Sequence, residues 1–296
     1  MCTDMGPLNV PLCEVCHSRV VGIVSRPDVS IGSHGRCFEC GLLQYLGLKR
    51  PSELEGVNFD GYLLAQDLTF EKTRRSTVLL QLQKLLALNN LDLSVFDIGT
   101  GSGHFLYDAQ QLGFKVSGSE LSYSAASLVN RKYGFEIFVK NYEDLGFTNC
   151  HSAVTMFCVL AHSVNPDSLL KSIHRSLQVG GVLYFHTPKY CLIDSVAIAL
   201  NKVSNGRMNH LLLRRIGGDH RRIYTRKSLT ILLEKSGFSE FNMTPEIGYG
   251  LKKENYFTAM GLPQTPSRLL ASALNMFSKL NLLPRNVFTV YATKRS

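Results

Sequence analysis

Between residues 94 and 188 short apolar runs alternate with amphipathic stretches. Candidate strands cover 94–98, 115–119, 136–139, 153–158 and 182–186, with helix-like stretches at 103–112, 122–133 and 166–177. That alternation predicts a doubly wound, mostly parallel α/β sheet. Upstream, residues 59–88 turn helical, with Leu79, Leu82, Leu85, Leu86 and Leu88 largely at helical spacing beside Gln81, Gln83 and Lys84. After Pro188 the order breaks into a basic, Leu-rich stretch reaching about Arg226. A helix at 227–236 closed by Gly237, a strand at 241–244 and a final strand at 287–293 follow. The Leu-rich segment 267–283 is expected to pack into the core.

The chain has 296 residues, 45% of them hydrophobic and 19% charged, which is globular usage and excludes collagen-like, low-complexity and disordered classes. The longest apolar run near the start, Val20 to Val24, is too short for a signal sequence or a membrane span, so the expected location is cytoplasmic. Length and texture divide the chain into a Cys-bearing segment (1–50), a helical linker or lid (51–93) and a large domain (94–296) with a basic insert at about 189–227.

Charge is uneven. Residues 171–296 carry 19 Lys and Arg against 6 Asp and Glu, whereas residues 1–170 carry 13 against 17. Lys202, Arg207, Arg214, Arg215, Arg221, Arg222, Arg226 and Lys227 crowd the insert against only Asp194 and Asp219. This suits an anionic ligand or lipid-linked acceptor, peripheral contact with an anionic membrane, or simply a solvated basic face. The apolar residues between them, such as Leu192, Val196 and Ile198, are candidates for a lid or a membrane-facing surface.

Five of the eight cysteines precede residue 41. Cys13, Cys16, Cys37 and Cys40 form C-x2-C-x20-C-x2-C, two knuckles that each aim two thiolates at one ion. Four Cys leave no open ligand position, so a zinc there is structural. His17 and His34 flank the ligands; Cys2, Cys150, Cys158 and Cys191 are read as free thiols.

The stretch Val95-Phe96-Asp97-Ile98-Gly99-Thr100-Gly101-Ser102-Gly103-His104 is an apolar strand, then Gly at every second position, then a helix. Such glycines let backbone approach a ligand closely. The dinucleotide fingerprint fails, because His104 stands where its third Gly belongs. The stretch instead resembles the D/E-x-G-x-G-x-G loop of class I S-adenosylmethionine-dependent methyltransferases. The resemblance continues through Val116-Ser117-Gly118-Ser119-Glu120, through Lys140-Asn141-Tyr142-Glu143-Asp144, and through Val159-Leu160-Ala161-His162 with Asn165-Pro166-Asp167. It implies a seven-stranded sheet and S-adenosylmethionine as cofactor. It also implies cofactor contacts from Asp97, Gly99, Gly101, Gly103, Glu120 (ribose hydroxyls), Asn141 and Tyr142 (adenine loop) and Phe157. Asn141 and Ala161 depart from the Asp and Glu usual in the family. With the N-terminal ribbon and His220-x3-Tyr224 ahead of Leu232-Leu233-Glu234-Lys235-Ser236-Gly237, the chain is similar to bacterial methyltransferases of polysaccharide, lipid and secondary-metabolite pathways.

Methyl transfer requires a nucleophile held near the methyl carbon, with a base where that nucleophile is an aliphatic hydroxyl. His162, just beyond the fourth strand of the sheet, is the candidate base or orienting group; His220 and Tyr224 are candidates for acceptor contact. The expected reaction is O-methylation of a sugar, lipid-linked glycan or other small biosynthetic intermediate. RNA methylation is an alternative, disfavoured by the absence of Trp and by a basic insert whose interleaved aromatics are only Tyr190 and Tyr224. A non-catalytic cofactor-binding module is the third reading.

Overall fold

The structure, a computed structural model, describes residues 11–23, 34–46, 68–208, 212, 215–216, 220–248, 263–280 and 282–295. The expected helix start at 59–67, Cys2, Arg214 and Asp219 lie outside them.

Strands β1 (Val20–Ile23), β2 (His34–Cys37) and β3 (Leu43–Tyr45) form a small antiparallel sheet. Its last strand is β9 (Arg222–Ile223), contributed from far along the chain, with Leu43 opposite Ile223 and Gln44 opposite Arg222. Helix α1 (Leu68–Leu88) leads into the large sheet.

That sheet has seven strands in the order β10-β11-β8-β7-β4-β5-β6. β4 (Ser94–Ile98), β5 (Lys115–Ser119), β6 (Ile137–Phe138), β7 (His151–Phe157) and β8 (Leu177–Pro188) run parallel; β11 (Val287–Thr293) pairs antiparallel with both β8 and β10 (Glu240–Glu246). Helices α2 (His104–Gln111), α3 (Tyr123–Tyr133), α4 (Pro166–Ser176) and α6 (Arg226–Lys235) cover it, with α5 (Leu192–Val203) lying in the insert. This is the expected doubly wound class I fold. Local signals set the helix starts: Ser122 caps α3, Asn165 followed by Pro166 opens α4, and a Thr225/Ser228 capping box opens α6.

Three expectations need correction. β8 is longer than 182–186, because Gly180, at φ 83°, donates to Lys294 O (2.8 Å) and so extends the pairing through what reads as a turn. The insert is partly helical, and much of its charge is directed inward. Arg215 binds Asp194 (2.7 Å) and Lys189 O, Arg226 binds Met243 O, and Arg222 is 1% exposed. The segment expected to fill the core forms α7 (Gln264–Lys279); it buries Ser267 and Ala271 but leaves Leu269, Leu270, Met276 and Phe277 exposed. Among the described residues no helix is long and apolar enough to cross a membrane.

Two buried imidazoles couple this packing to pH. His151 sits among the rings of Phe96, Tyr142 and Phe147, and His34 packs edge-on to Tyr45; neither Nε2 has a partner. Burial pushes both down to about 4. The unfolded chain takes up these protons near pH ~6.5, the folded chain only near 4. Stability is therefore complete above that window and falls as pH drops through it, by up to about 2 kcal/mol per imidazole at pH 5. Urea midpoints are expected to decrease from pH 7.5 to pH 5, with a shallower decrease in His151→Phe.

Candidate functional site

The loop from β4 into α2 passes through Gly99, Gly101 and Gly103, all left-handed, with φ of 72°, 52° and 72°. A Cβ on Gly99 would stand 2.7 Å from Val159 Cγ2, and one on Gly103 2.8 Å from Val129 Cγ1. Only glycine fits there without displacing its neighbours. Gly101 N–H donates to Glu120 Oε2 (2.9 Å) and Ser122 N–H to Glu120 Oε1 (3.0 Å), so this carboxylate is held between the loop and the start of α3. It keeps further lone pairs for ligand hydroxyls. Asp97 lies below, buried, accepting from Thr155 Oγ1 (2.6 Å). Burial pushes its carboxyl well above the usual range; the Thr155 bond acts in the opposite direction, and the charge of Glu120 adds to the rise.

Asn141 is exposed, its Nδ2 donating to Asp144 Oδ2 (3.3 Å) at the head of a 3-10 turn, Tyr142–Leu145. Tyr142 turns the other way. It is 3% exposed, bonds Ser176 through its hydroxyl and packs on Phe96, so its side chain belongs to the core while its backbone opens the 3-10 turn after β6. Phe157, ending β7, is half-buried against Phe105, Tyr184 and His186.

Past the end of β7, after the turn whose Val159 packs against Gly99, His162 and His220 face each other with ring centroids 4.8 Å apart. Backbone bonds hold both: His162 N–H donates to Val159 O (2.9 Å), and Arg221 N–H donates to Ala161 O (2.9 Å). Arg222 fastens the same two segments, donating to Ser163 O (2.6 Å) and Val164 O (3.2 Å) while it pairs with Glu14 of the N-terminal segment. Burial, the charge of His162 and that of Arg215 push the His220 imidazole down to about 3, so it is neutral at pH 7. Tyr224, expected at this edge, is wholly buried, with its hydroxyl on Leu160 O (3.4 Å). The hydroxyl is thereby turned into the core.

Sequence reasoning missed Cys158. Its Sγ lies 3.3 Å from His220 Nε2, and the Cys158-x3-His162 spacing was the available signal.

In the N-terminal sheet the four expected cysteines converge, Cys13 Sγ 3.5 Å from Cys40 Sγ and Cys16 Sγ 3.4 Å from Cys37 Sγ. Their ligand atoms all lie within 4.8 Å of one another. Amide hydrogens of Val15 and Cys40 point at Cys13 and Cys37 sulfur, both at 3.5 Å, the arrangement of paired knuckles. Four thiolates so placed can hold one tetrahedral divalent ion. The ribbon is tied to the large domain through Thr225 Oγ1, which donates to Cys40 O, and Lys235 Nζ, which donates to Val15 O (2.7 Å).

Residues 70–240, over half of the chain, match the family described as Methyltransferase domain. No curated protein matches the sequence. Among solved structures, the plantazolicin methyltransferase BamL, in complex with a triazolic desmethylPZN analog and SAH, has 15% identity. It covers 75% of this chain and 85% of its own at a TM-score of 0.51. The methyltransferase in complex with a Haloferax volcanii methyltransferase activator has 14% identity, covering 81% and 98%, at a TM-score of 0.50. At such identities these two speak for the fold, while the family match covers the glycine loop, Glu120 and the His162 edge together. The chain belongs to this methyltransferase family and is a class I S-adenosylmethionine-dependent methyltransferase.

Proposed function

We propose that the enzyme transfers a methyl group to a hydroxyl of a sugar, lipid-linked glycan or other small biosynthetic intermediate. The observation that carries this reading is the pair His162 and His220 at the edge beyond β7, beside the glycine loop. An aliphatic hydroxyl is a poor nucleophile and needs help in losing its proton, and His162 stands at the edge where that help would be given. S-adenosylmethionine would lie beside that pair: the cradle of Gly99, Gly101 and Gly103 admits a ligand against bare backbone, and Glu120 offers acceptors for the ribose hydroxyls. Asn141 is exposed beside the same edge as the adenine partner, and Asp97 with Phe157 supports the floor. The cofactor supplies an electrophilic methyl on sulfur; the chain's part is to orient it and to prepare the acceptor.

Labelled methyl transfer tests this, using sugar nucleotides, polyprenyl-phosphate sugars, phenols and transfer RNA as acceptors. Label in a sugar hydroxyl is the expected result; label confined to RNA or to phenols overturns it. Calorimetry should show binding of S-adenosylmethionine and S-adenosylhomocysteine. Gly101→Val, which puts a side chain into the cradle, should weaken it, and Glu120→Ala, which removes charged acceptors, should weaken it by roughly 1.5–3 kcal/mol. Wild-type protein that binds neither would sink the cofactor assignment.

In the same reading residues 1–50 are a zinc ribbon, 51–93 a helical linker and 94–296 the catalytic domain. The ribbon zinc holds the fold and takes no part in chemistry. Elemental analysis should find one zinc fewer per chain in Cys37→Ser than in wild type; equal content would remove the ribbon assignment.

A further inference from the structure

Cys158, His162 and His220 place one sulfur and two ring nitrogens within 4.8 Å of one another. A tetrahedral zinc with Zn–S near 2.3 Å and Zn–N near 2.0–2.1 Å brings such atoms to ~3.5 Å of each other, and Cys158 Sγ to His220 Nε2 is 3.3 Å. Cys158 also adopts φ 65°, a left-handed conformation costly for a residue with a side chain, while its N–H is fixed on His186 O at 3.1 Å. The backbone is thus held where it turns the thiol toward His220. The intervening turn carries Val159, whose Cγ2 lies against Gly99 of the cofactor loop, so the cluster and the loop are next to each other. Arg215, whose charge reaches His220, is paired with Asp194.

We propose that Cys158, His162 and His220 hold a second zinc ion, distinct from the ribbon's, whose open fourth position takes the acceptor oxygen. The inference rests on the hydroxyl reading above and gives it a means. One soft thiolate and two imidazoles are a zinc set, and three protein ligands with an open position mark a catalytic rather than a structural ion. Zinc carried by one thiolate retains a single positive charge, which the bound alkoxide neutralises. Zinc lowers the pKa of bound water from about 15.7 to about 7, and an aliphatic hydroxyl gains acidity in the same way. The acceptor O–H bond breaks on the ion and its proton leaves to solvent. The oxygen lone pair then forms the O–C bond to the methyl carbon as the C–S bond breaks, its electron pair remaining on sulfur to give S-adenosylhomocysteine. His162 is then a ligand, and the proton never rests on it.

The full-length protein purified from zinc-supplemented cells should contain two zinc ions per chain, and Cys158→Ala and Cys158→Gly one each. The glycine variant relieves the φ of 65° while deleting the ligand, so a loss there is not misfolding. Cobalt substitution gives a second readout: the wild-type spectrum minus that of Cys158→Gly should show the visible bands of mixed sulfur and nitrogen coordination. One zinc in wild type, or a cobalt spectrum unchanged in the variants, overturns the site. The hydroxyl reading fails separately. Full hydroxyl methylation in protein stripped to one zinc defeats the second ion and leaves O-methylation standing. Two zinc ions with no hydroxyl accepted defeats the oxygen acceptor and the step built on it.

Discussion

His162→Ala is expected to lower kcat on an aliphatic hydroxyl by about 10²- to 10⁴-fold and to leave S-adenosylmethionine affinity nearly unchanged. The two effects separate because the residues do. Glu120 and the three glycines are held by bonds among β5, the glycine loop and α3, whereas His162 belongs to the turn after β7. Removing the imidazole takes away help with the acceptor proton and touches none of the groups that cradle the cofactor. The loss should shrink as the acceptor grows more acidic, since a phenol needs less help than a sugar. Single-turnover rates with graded acceptors, beside cofactor calorimetry, measure both. An unchanged rate would remove His162 from the chemistry.

The second large effect is expected from Arg222. Its guanidinium is almost fully buried, paired with Glu14 and bonded to the carbonyls of Ser163 and Val164. Arg222→Ala would take the donor from two carbonyls and the partner from Glu14, whose carboxylate is exposed and keeps its water; losing charge-assisted hydrogen bonds of this kind costs about 1.5–3 kcal/mol. For a chain of this size that is a fall in melting temperature of roughly 3–12 °C. Because these bonds also join the segments bearing His162 and His220, activity measured well below the melting point should fall too. Arg222→Lys restores the charge but not the fork, and should recover only part of each. A melting temperature within about 2 °C of wild type in Arg222→Ala would show that the bonds are dispensable.

The sequence was legible where one pattern sufficed. β4, β5 and β11 fall on the residues their apolar runs mark, and four thiols spaced as two pairs converge as spacing alone requires. It misled where one residue type serves two ends. Tyr142 and Tyr224 read as site residues because the family resemblance runs through their segments, yet each finds a partner for its hydroxyl inside the core. Arg215 and Arg222 read as surface charge because nothing local shows that Asp194 and Glu14 await them. Cys158 was hidden for a different reason: its partner His220 lies 62 residues on, and β9, which sets that register, is two residues long with no periodicity to detect.

The shared strand imposes an order on synthesis. β3 ends at Tyr45, but the strand that covers its outer edge is not made until Arg222 and Ile223. At roughly 5–20 residues per second a ribosome needs about ten seconds or more to span that gap. Throughout it the ribbon stands with a bare, hydrogen-bonding edge next to Leu43, the kind of surface other chains capture. Expressed without the later chain, β1, β2 and β3 would keep that edge open for good, so they are better regarded as a half-finished sheet that β9 completes than as a free-standing module.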